Sequence, residues 1–157
     1  MKPEIGESTT LLETPHFNII REQLRWPNGH KHFMFFMDAG QPYVIIIVIC
    51  DEKVLLVSQY RHTSQSKSLE FPMGVVEGDE SLEEAAAREL EEETGIRTAK
   101  LAHVGSFFPS IGRQRSRGHV FYAKCLSIGK RNLDPSEADL GVCWMKMSEW
   151  RNVIRSG

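Results

Sequence analysis

The segment Gly74–Ile96, GVVEGDESLEEAAARELEEETGI, constrains this chain more than any other stretch. Its centre is dense in strong helix formers: Leu82, Ala85, Ala86, Ala87, Leu90 and many Glu. Ser81 or Asp79 can cap the start, and Gly95 is a natural stop just past the last turn. The spacing predicts one helix of about four turns. At about 100° per residue, Leu82, Ala86 and Leu90 form an apolar stripe that faces a core. Glu89 and Glu93, one turn apart, fall near the same side. Glu84 and Glu91 point away, and Glu92 lies on the flank.

An acidic helix is usually a solvated face, and Glu83, Glu84 and Glu91 read that way. Glu89 and Glu93 resist that reading. Carboxylates at i and i+4 repel, and both flank a stripe that seeks burial, where unpaired charge is costly. A divalent cation removes both problems. Mg²⁺ takes oxygen ligands of this kind and keeps waters for a substrate phosphate.

Gly74, Glu80, Arg88, Glu89, Leu90, Glu92, Glu93, Gly95 and Ile96 fill every position of one known signature. It runs Gly, five residues, Glu, seven residues, Arg-Glu-apolar, one residue, Glu-Glu, one residue, Gly-apolar. By it the chain resembles the Nudix hydrolases. The fixed identities, at about 7% background each, would coincide by chance on the order of once in 10⁸ starts, so coincidence is a poor explanation. The resemblance implies an α/β fold: a Nudix-type α/β/α sandwich around a mixed β-sheet, with an added N-terminal β-hairpin. It also implies hydrolysis of a nucleoside diphosphate linked to another group, with Mg²⁺ or Mn²⁺ as cofactor. Carried over residue by residue, the metal ligands are Glu89, Glu93, Glu92 and the carbonyl of Met73. The catalytic set is Glu89, Glu93, Glu137 and Arg88. Gly74, Glu80 and Gly95 are structural positions of the motif, with Arg88 and Glu80 forming its structural pair. If Glu137 fails as general base, Glu89 can act through a bound water.

The flanks narrow the resemblance. Gln59-Tyr60-Arg61, Leu69-Glu70 and Pro72-Met73-Gly74 are similar to the ADP-ribose pyrophosphatase and nucleoside diphosphate-sugar hydrolase branch. That branch uses an N-terminal hairpin, here residues 12–38, for an intertwined homodimer, and would split ADP-ribose into AMP and ribose 5-phosphate. Gln59, Arg61, Glu70, Arg113 and Arg115 are the substrate-binding candidates. Two departures stand out: Met73 replaces a usual Ala, and a basic loop, Arg113-Gln114-Arg115, stands where an acidic pair is usual. The basic loop leaves open a second enzymatic reading, hydrolysis of a nucleoside triphosphate, dinucleoside polyphosphate or capped nucleotide. It is equally readable as an exposed solubilising loop. A non-catalytic nucleotide-binding module is the reading from another class. Three acids around an anionic guest argue against it.

Composition bounds the partners. At 157 residues the chain suits one domain, 1–157. Its formal net charge of −2 gives no field for a polynucleotide or a membrane surface. Charge is nonetheless uneven, because residues 77–93 hold nine acids against the single Arg88. Cys50, Cys125 and Cys143 are far apart and in apolar surroundings, which predicts buried free thiols in a reducing cytoplasm. MKPEIGESTT is no signal peptide, and the apolar run Tyr43–Cys50 is too short to span a bilayer. The histidines show no zinc-ligand spacing.

Along the chain, residues 1–11 are polar and read as loose. A hairpin turns at Pro27-Asn28-Gly29. The run from Tyr43 to Cys50 does not alternate and reads as a central strand covered on both sides. A tight turn at Asp51-Glu52-Lys53 feeds a strand to Tyr60. Ser68–Pro72, Lys100–Phe108, His119–Leu126 and Val142–Met145 read as further strands, Pro109–Gly118 as a loop, and Ser148 to about Ile154 as a terminal helix. The phenylalanines and Tyr122 read as core or subunit-contact residues, with base stacking as an alternative for one or two.

Overall fold

The computed structural model describes residues 1–124 and 127–156. The strands before the first helix are β1 (Glu4–Glu13), β2 (Asn18–Arg25), β3 (Lys31–Asp38), β4 (Tyr43–Cys50), β5 (Lys53–Arg61), β6 (Ser66–Glu70) and β7 (Met73–Val75). Helix α1 (Leu82–Thr94) follows. Then come β8 (Ile96–Arg97), β9 (Leu101–Phe107), β10 (Gln114–Arg115), β11 (Gly118–Ala123) and β12 (Ser127–Ile128). A 3₁₀ turn (Pro135–Glu137), β13 (Gly141–Lys146) and helix α2 (Met147–Ser156) complete the order. The expected α/β class with its mixed sheet is found. The chain forms two compact units, Met1–Pro42 with Phe107–Gly118, and Tyr43–Ser106 with His119–Gly157.

The first unit is a four-stranded sheet in the order β1-β2-β3-β10. The hairpin expected at Pro27-Asn28-Gly29 joins β2 to β3, with Gly29 at φ 85° and its N–H bonded to the Trp26 carbonyl. Two expectations fail here. Residues 1–11 are not loose: β1 pairs antiparallel with β2 from Glu4↔Arg25 to Glu13↔Asn18. This strand is exposed along almost its whole length, so it carries no burial pattern. Ladder hydrogen bonds and the Arg25–Glu4 ion pair at 2.9 Å hold it instead. The loop after Pro109 also contributes β10, which pairs in parallel with β3 at Gln114↔Met37 and Arg115↔Asp38.

In the second unit the sheet order is β13-β5-β4-β11-β9, with β6 on β5 and β7 on β4. Val54, Leu55, Leu56 and Val57 are all buried. Successive strand residues point to opposite faces, so β5 is covered on both. β4 is a central strand as expected, between β5 and β11, but where both sides were expected to be covered its burial alternates: Val44, Ile46 and Val48 are fully buried and their neighbours half-buried. Those three join Leu55, Ala86, Leu90, Ile96 and Phe121 in the core. α1 packs on β4 and β7, while α2 packs on β5 and β13 with Trp150 edge-on to Phe71 at 5.6 Å. Asp51 (φ 47°) and Glu52 (φ 61°) close the β4–β5 hairpin in the left-handed region without glycine.

Cys50 and Cys143 are not in disulfides, but both are half-buried rather than buried. Cys125 lies outside the described residues, as does Leu126 at the end of the expected His119–Leu126 strand. Phe121 is core as expected, whereas Phe33, Phe35 and Phe108 are exposed. Among the described residues no helix is long and apolar enough to cross a membrane.

Candidate active site

α1 begins where a capping box can form. The Ser81 side chain accepts the Glu84 N–H, and the Glu84 carboxylate accepts the Ser81 N–H at 2.8 Å. Glu84 is therefore more than a solvated acid. The helix ends at Gly95, with φ 74° and its N–H on the Glu91 carbonyl. A second constraint fixes this glycine: a Cβ here would lie 2.4 Å from the Gly129 carbonyl oxygen. No basic residue occupies the last turn of α1. The carbonyls that a helix leaves unpaired at this end are met from a remote segment. Asn132 donates its N–H to Glu92 O at 3.0 Å, and Arg131 donates Nε–H to Glu93 O at 2.7 Å.

Leu90 and Ala86 sit in the core, and Glu93 follows them inward to 3% exposure. Its Oε2 accepts the Met73 N–H at 3.2 Å. Burial pushes the Glu93 carboxyl up to about 8, with the charges of Glu137 and Glu89 adding to the effect. Burial likewise raises Glu89, whose carboxylate packs against Gly74. The expected inward pair is thus present. The structure also brings Glu137, on the 3₁₀ turn after Asn132, close enough for its charge to raise both acids.

Arg88 organises the outer side. Its guanidinium donates to both oxygens of Glu80, at 2.6 and 3.1 Å, to Glu89 at 2.9 Å, to Glu92 at 3.1 Å and to the Val75 carbonyl at 3.0 Å. Glu80, which also accepts the Glu77 N–H, is held below the ordinary carboxylate range by Arg88. Arg88 therefore sets the direction of three acids rather than facing a guest itself. Arg61 and Glu70 form a two-point pair, with Nε–H to Oε1 at 2.8 Å, and that contact holds Glu70 below its ordinary range. The Arg61 guanidinium is within electrostatic reach of Glu93 and Glu137. Gln59 is buried on β5.

Arg113 and Arg115 belong to the other unit. Arg115 is bound to Glu22 at 3.0 Å and Asp38 at 3.2 Å, and it stacks on Phe36 at 4.3 Å. Arg113 lines a cavity of about 320 Å³ with Met34, Phe36, Phe108 and Ile111. His103 and His119 stand 3.4 Å apart, nitrogen to nitrogen. Among the described residues no three His, Cys, Asp or Glu side chains converge as a ready-made metal cage. In this arrangement Arg88 takes up Glu89 and Glu92, so the acids that would face a cation are partly turned to a guanidinium.

The residues nevertheless fit a hard divalent cation. Glu93 is buried with no ion pair among the described residues, under repulsion from Glu89 and Glu137. A cation among carboxylate oxygens relieves that stress. Gly74 supplies the room, because a Cβ there would lie 1.9 Å from Glu89 Oε1. Gly74→Ala is expected to push the Glu89 carboxylate aside and weaken Mg²⁺ binding roughly 10–100-fold, with little loss of fold. Calorimetric Mg²⁺ titration beside a melting curve checks this.

Both inner acids stand above their ordinary range. From Glu93 the folded chain therefore draws stability that is complete below about pH 4.5 and is lost as pH rises through about 8, and Glu89 adds to it in the same direction. Without divalent cations, Tm is expected to fall across that interval, the ionised site costing on the order of a few kcal/mol. Mg²⁺ is expected to raise Tm more at pH 8 than at pH 5, by differential scanning calorimetry.

Arg131 and Asp139, which accepts the Tyr60 N–H at 2.9 Å, were not foreseeable. Neither belongs to a motif, and partners far apart in the chain leave no periodic trace.

A family model described as the NUDIX domain matches residues 40–155. The chain is 39% identical over 118 residues to an ADP-ribose pyrophosphatase of Bacillus subtilis (strain 168), covering 74% of this chain and 64% of that protein. It is 33% identical over 133 residues to a CMP-5'-(N-acetyl-N-hydroxy-3-aminopropyl)phosphonate hydrolase of Streptomyces rubellomurinus (strain ATCC 31215), covering 83% and 63%. It thus spans less than two thirds of the length of either relative. A crystal structure of an ADP compounds hydrolase superposes with a TM-score of 0.87 at 23% identity, covering 99% of this chain and 84% of that one. That likeness bears on the fold.

Proposed function

The chain belongs to the NUDIX domain family, and from that premise we propose that it hydrolyses the diphosphate bridge of ADP-ribose or a related nucleoside diphosphate sugar. The products are a nucleoside monophosphate and a sugar phosphate. One observation carries the reading: Glu93, Glu89 and Glu137 act on one another beside the Met73–Gly74 backbone, and among the described residues Glu93 has no ion-pair partner, Arg61 acting on it only from a longer range. The likeness to the Bacillus subtilis pyrophosphatase supports the substrate class.

Glu89, Glu93, Glu92 and the Met73 carbonyl would hold Mg²⁺ or Mn²⁺. Such an ion, when bound, neutralises phosphate charge and makes a water more acidic. The chain's own residues do the rest. Arg61 offers positive charge to the incoming diphosphate, and Glu70 fixes its direction. Water adds to one phosphorus as the bridging P–O bond breaks, and its proton passes to the Glu137 carboxylate. Gly74 lets the backbone approach closely. The exposed Phe33, Phe35 and Ile111 of the first unit support a homodimer. The cysteine pattern suits the cytoplasm.

The basic loop supports a second reading, a nucleoside triphosphate, dinucleoside polyphosphate or capped-nucleotide hydrolase. Arg113 has no side-chain partner among the described residues. Arg115 gives it less support, being committed to Glu22 and Asp38. Incubation with nucleotide sugars, nucleoside triphosphates and dinucleoside polyphosphates, with Mg²⁺ or Mn²⁺ and product separation, decides between them. AMP and ribose 5-phosphate from ADP-ribose is the expected result. Turnover confined to triphosphates or dinucleotides would overturn it.

A further inference from the structure

The loop that carries Glu137 is tied at both ends. At its start the Asn132 N–H meets the last turn of α1 at Glu92 O. At its end the Asp139 carboxylate accepts the Tyr60 N–H from β5. Arg131 joins the two ends directly: one arm donates to Glu93 O, and the other to the Leu140 carbonyl. From Leu140 the connection continues inward. The Leu140 N–H bonds Glu137 O at 2.9 Å, and the Glu137 N–H bonds Asp134 O at 2.9 Å.

We infer that Arg131 is a positioning residue, which holds the Glu137 loop at a fixed distance from the buried acids of α1. The inference rests on the proposed role of Glu137. A helix end needs only one donor per carbonyl, so a simple cap would leave the second arm of Arg131 unused. That arm instead reaches the far foot of the loop. No carboxylate of the described residues lies within ion-pair distance of Arg131. Its charge is met by the C-terminal dipole of α1, in which no basic side chain of the last turn competes. The planar fork fixes the angle between the two carbonyls, which a lysine cannot do. Glu93, the residue whose carbonyl Arg131 holds, points its own carboxylate at Met73. One residue thus links the backbone of the innermost acid to the loop bearing Glu137.

The test is a cycle of Arg131→Ala, Glu137→Gln and the double variant, assayed with ADP-ribose and Mg²⁺, alongside amide hydrogen exchange. Arg131→Ala is expected to lower kcat roughly 10–100-fold with KM within about threefold. The double variant should be no slower than Glu137→Gln alone, because Arg131 acts through that residue. Amides of 132–140 should exchange faster while those of β4 and β5 keep their protection. Arg131→Lys, which keeps charge and one donor direction, should recover part of kcat and serves the same cycle if the alanine variant does not fold. Losses that multiply in the double variant, or an Arg131→Ala enzyme at wild-type kcat, overturn the inference. A Glu137→Gln enzyme at wild-type rate removes Glu137 from the reaction and takes the inference with it. Exchange, which requires no substrate, separates a loosened loop from a wrong substrate: unchanged exchange at 132–140 in Arg131→Ala overturns the inference whatever the enzyme hydrolyses.

Discussion

Glu93→Gln lowers turnover by roughly 10²–10³-fold, or more, while the metal-free protein becomes more stable at pH 8 than the wild type. The two effects have one cause. Glu93 is held at 3% exposure, against its own solvation and against the charges of Glu137 and Glu89, so its ionised form burdens the fold. An amide of the same shape removes the burden and can still accept the Met73 N–H through its carbonyl oxygen. It also removes the anionic oxygen that a hard cation requires. Melting curves at pH 5 and pH 8 should nearly coincide for the variant as far as this residue is concerned, whereas the wild type falls with rising pH. Loss of turnover with gain of stability is what a group retained for chemistry would show. A variant at near-normal rates would take Glu93 out of the ligand set.

Arg88→Ala carries the opposite sign in stability. It strands Glu80, Glu89 and Glu92 at once, and opens the link to the Val75 carbonyl. Breaking a fully buried ion pair costs about 3–5 kcal/mol. With the Arg88 side chain 24% exposed, water recovers part of that. The expected loss is about 2–3 kcal/mol at pH 7.5, which lowers Tm by roughly 5–10 °C for a domain of this size. Glu80 sets the pH dependence. Its carboxyl is depressed by Arg88, so the stability it contributes is present above about pH 4.5 and disappears as pH falls. The deficit of the variant should therefore shrink towards pH 4. Arg88→Lys should rescue little, since an ammonium cannot serve both oxygens of Glu80 together with Glu89 and Glu92. Thermal denaturation of the three proteins at pH 4 and pH 7.5 checks both points.

What the sequence disclosed follows how far apart the partners lie. α1, its stop at Gly95 and its inward acids were legible because each rests on residues within one or two turns. The Arg88–Glu80 pair was legible only through the family motif, since eight residues separate the two and i,i+4 spacing pointed Arg88 at Glu92 alone. β1 was illegible because an exposed edge strand buries nothing that would impose a period of two. β10 was hidden for a related reason: a two-residue pairing inside a polar loop is decided by its partner β3. Burial on both faces was assigned to β4 on its unbroken apolar run, and the structure gives it to β5. Composition cannot say which of two apolar strands has both faces fully covered.

The two ends of α1 differ in when they can form. Ser81 and Glu84 close the first turn with residues already adjacent, so that end can nucleate early. The last turn waits for Gly129, Arg131 and Asn132, whose approach closes a loop of more than thirty residues. On a ribosome, the helix would be under way well before the chain that seals it has emerged. The acids at its far end would then gather only after the segment through Asn132 has been made.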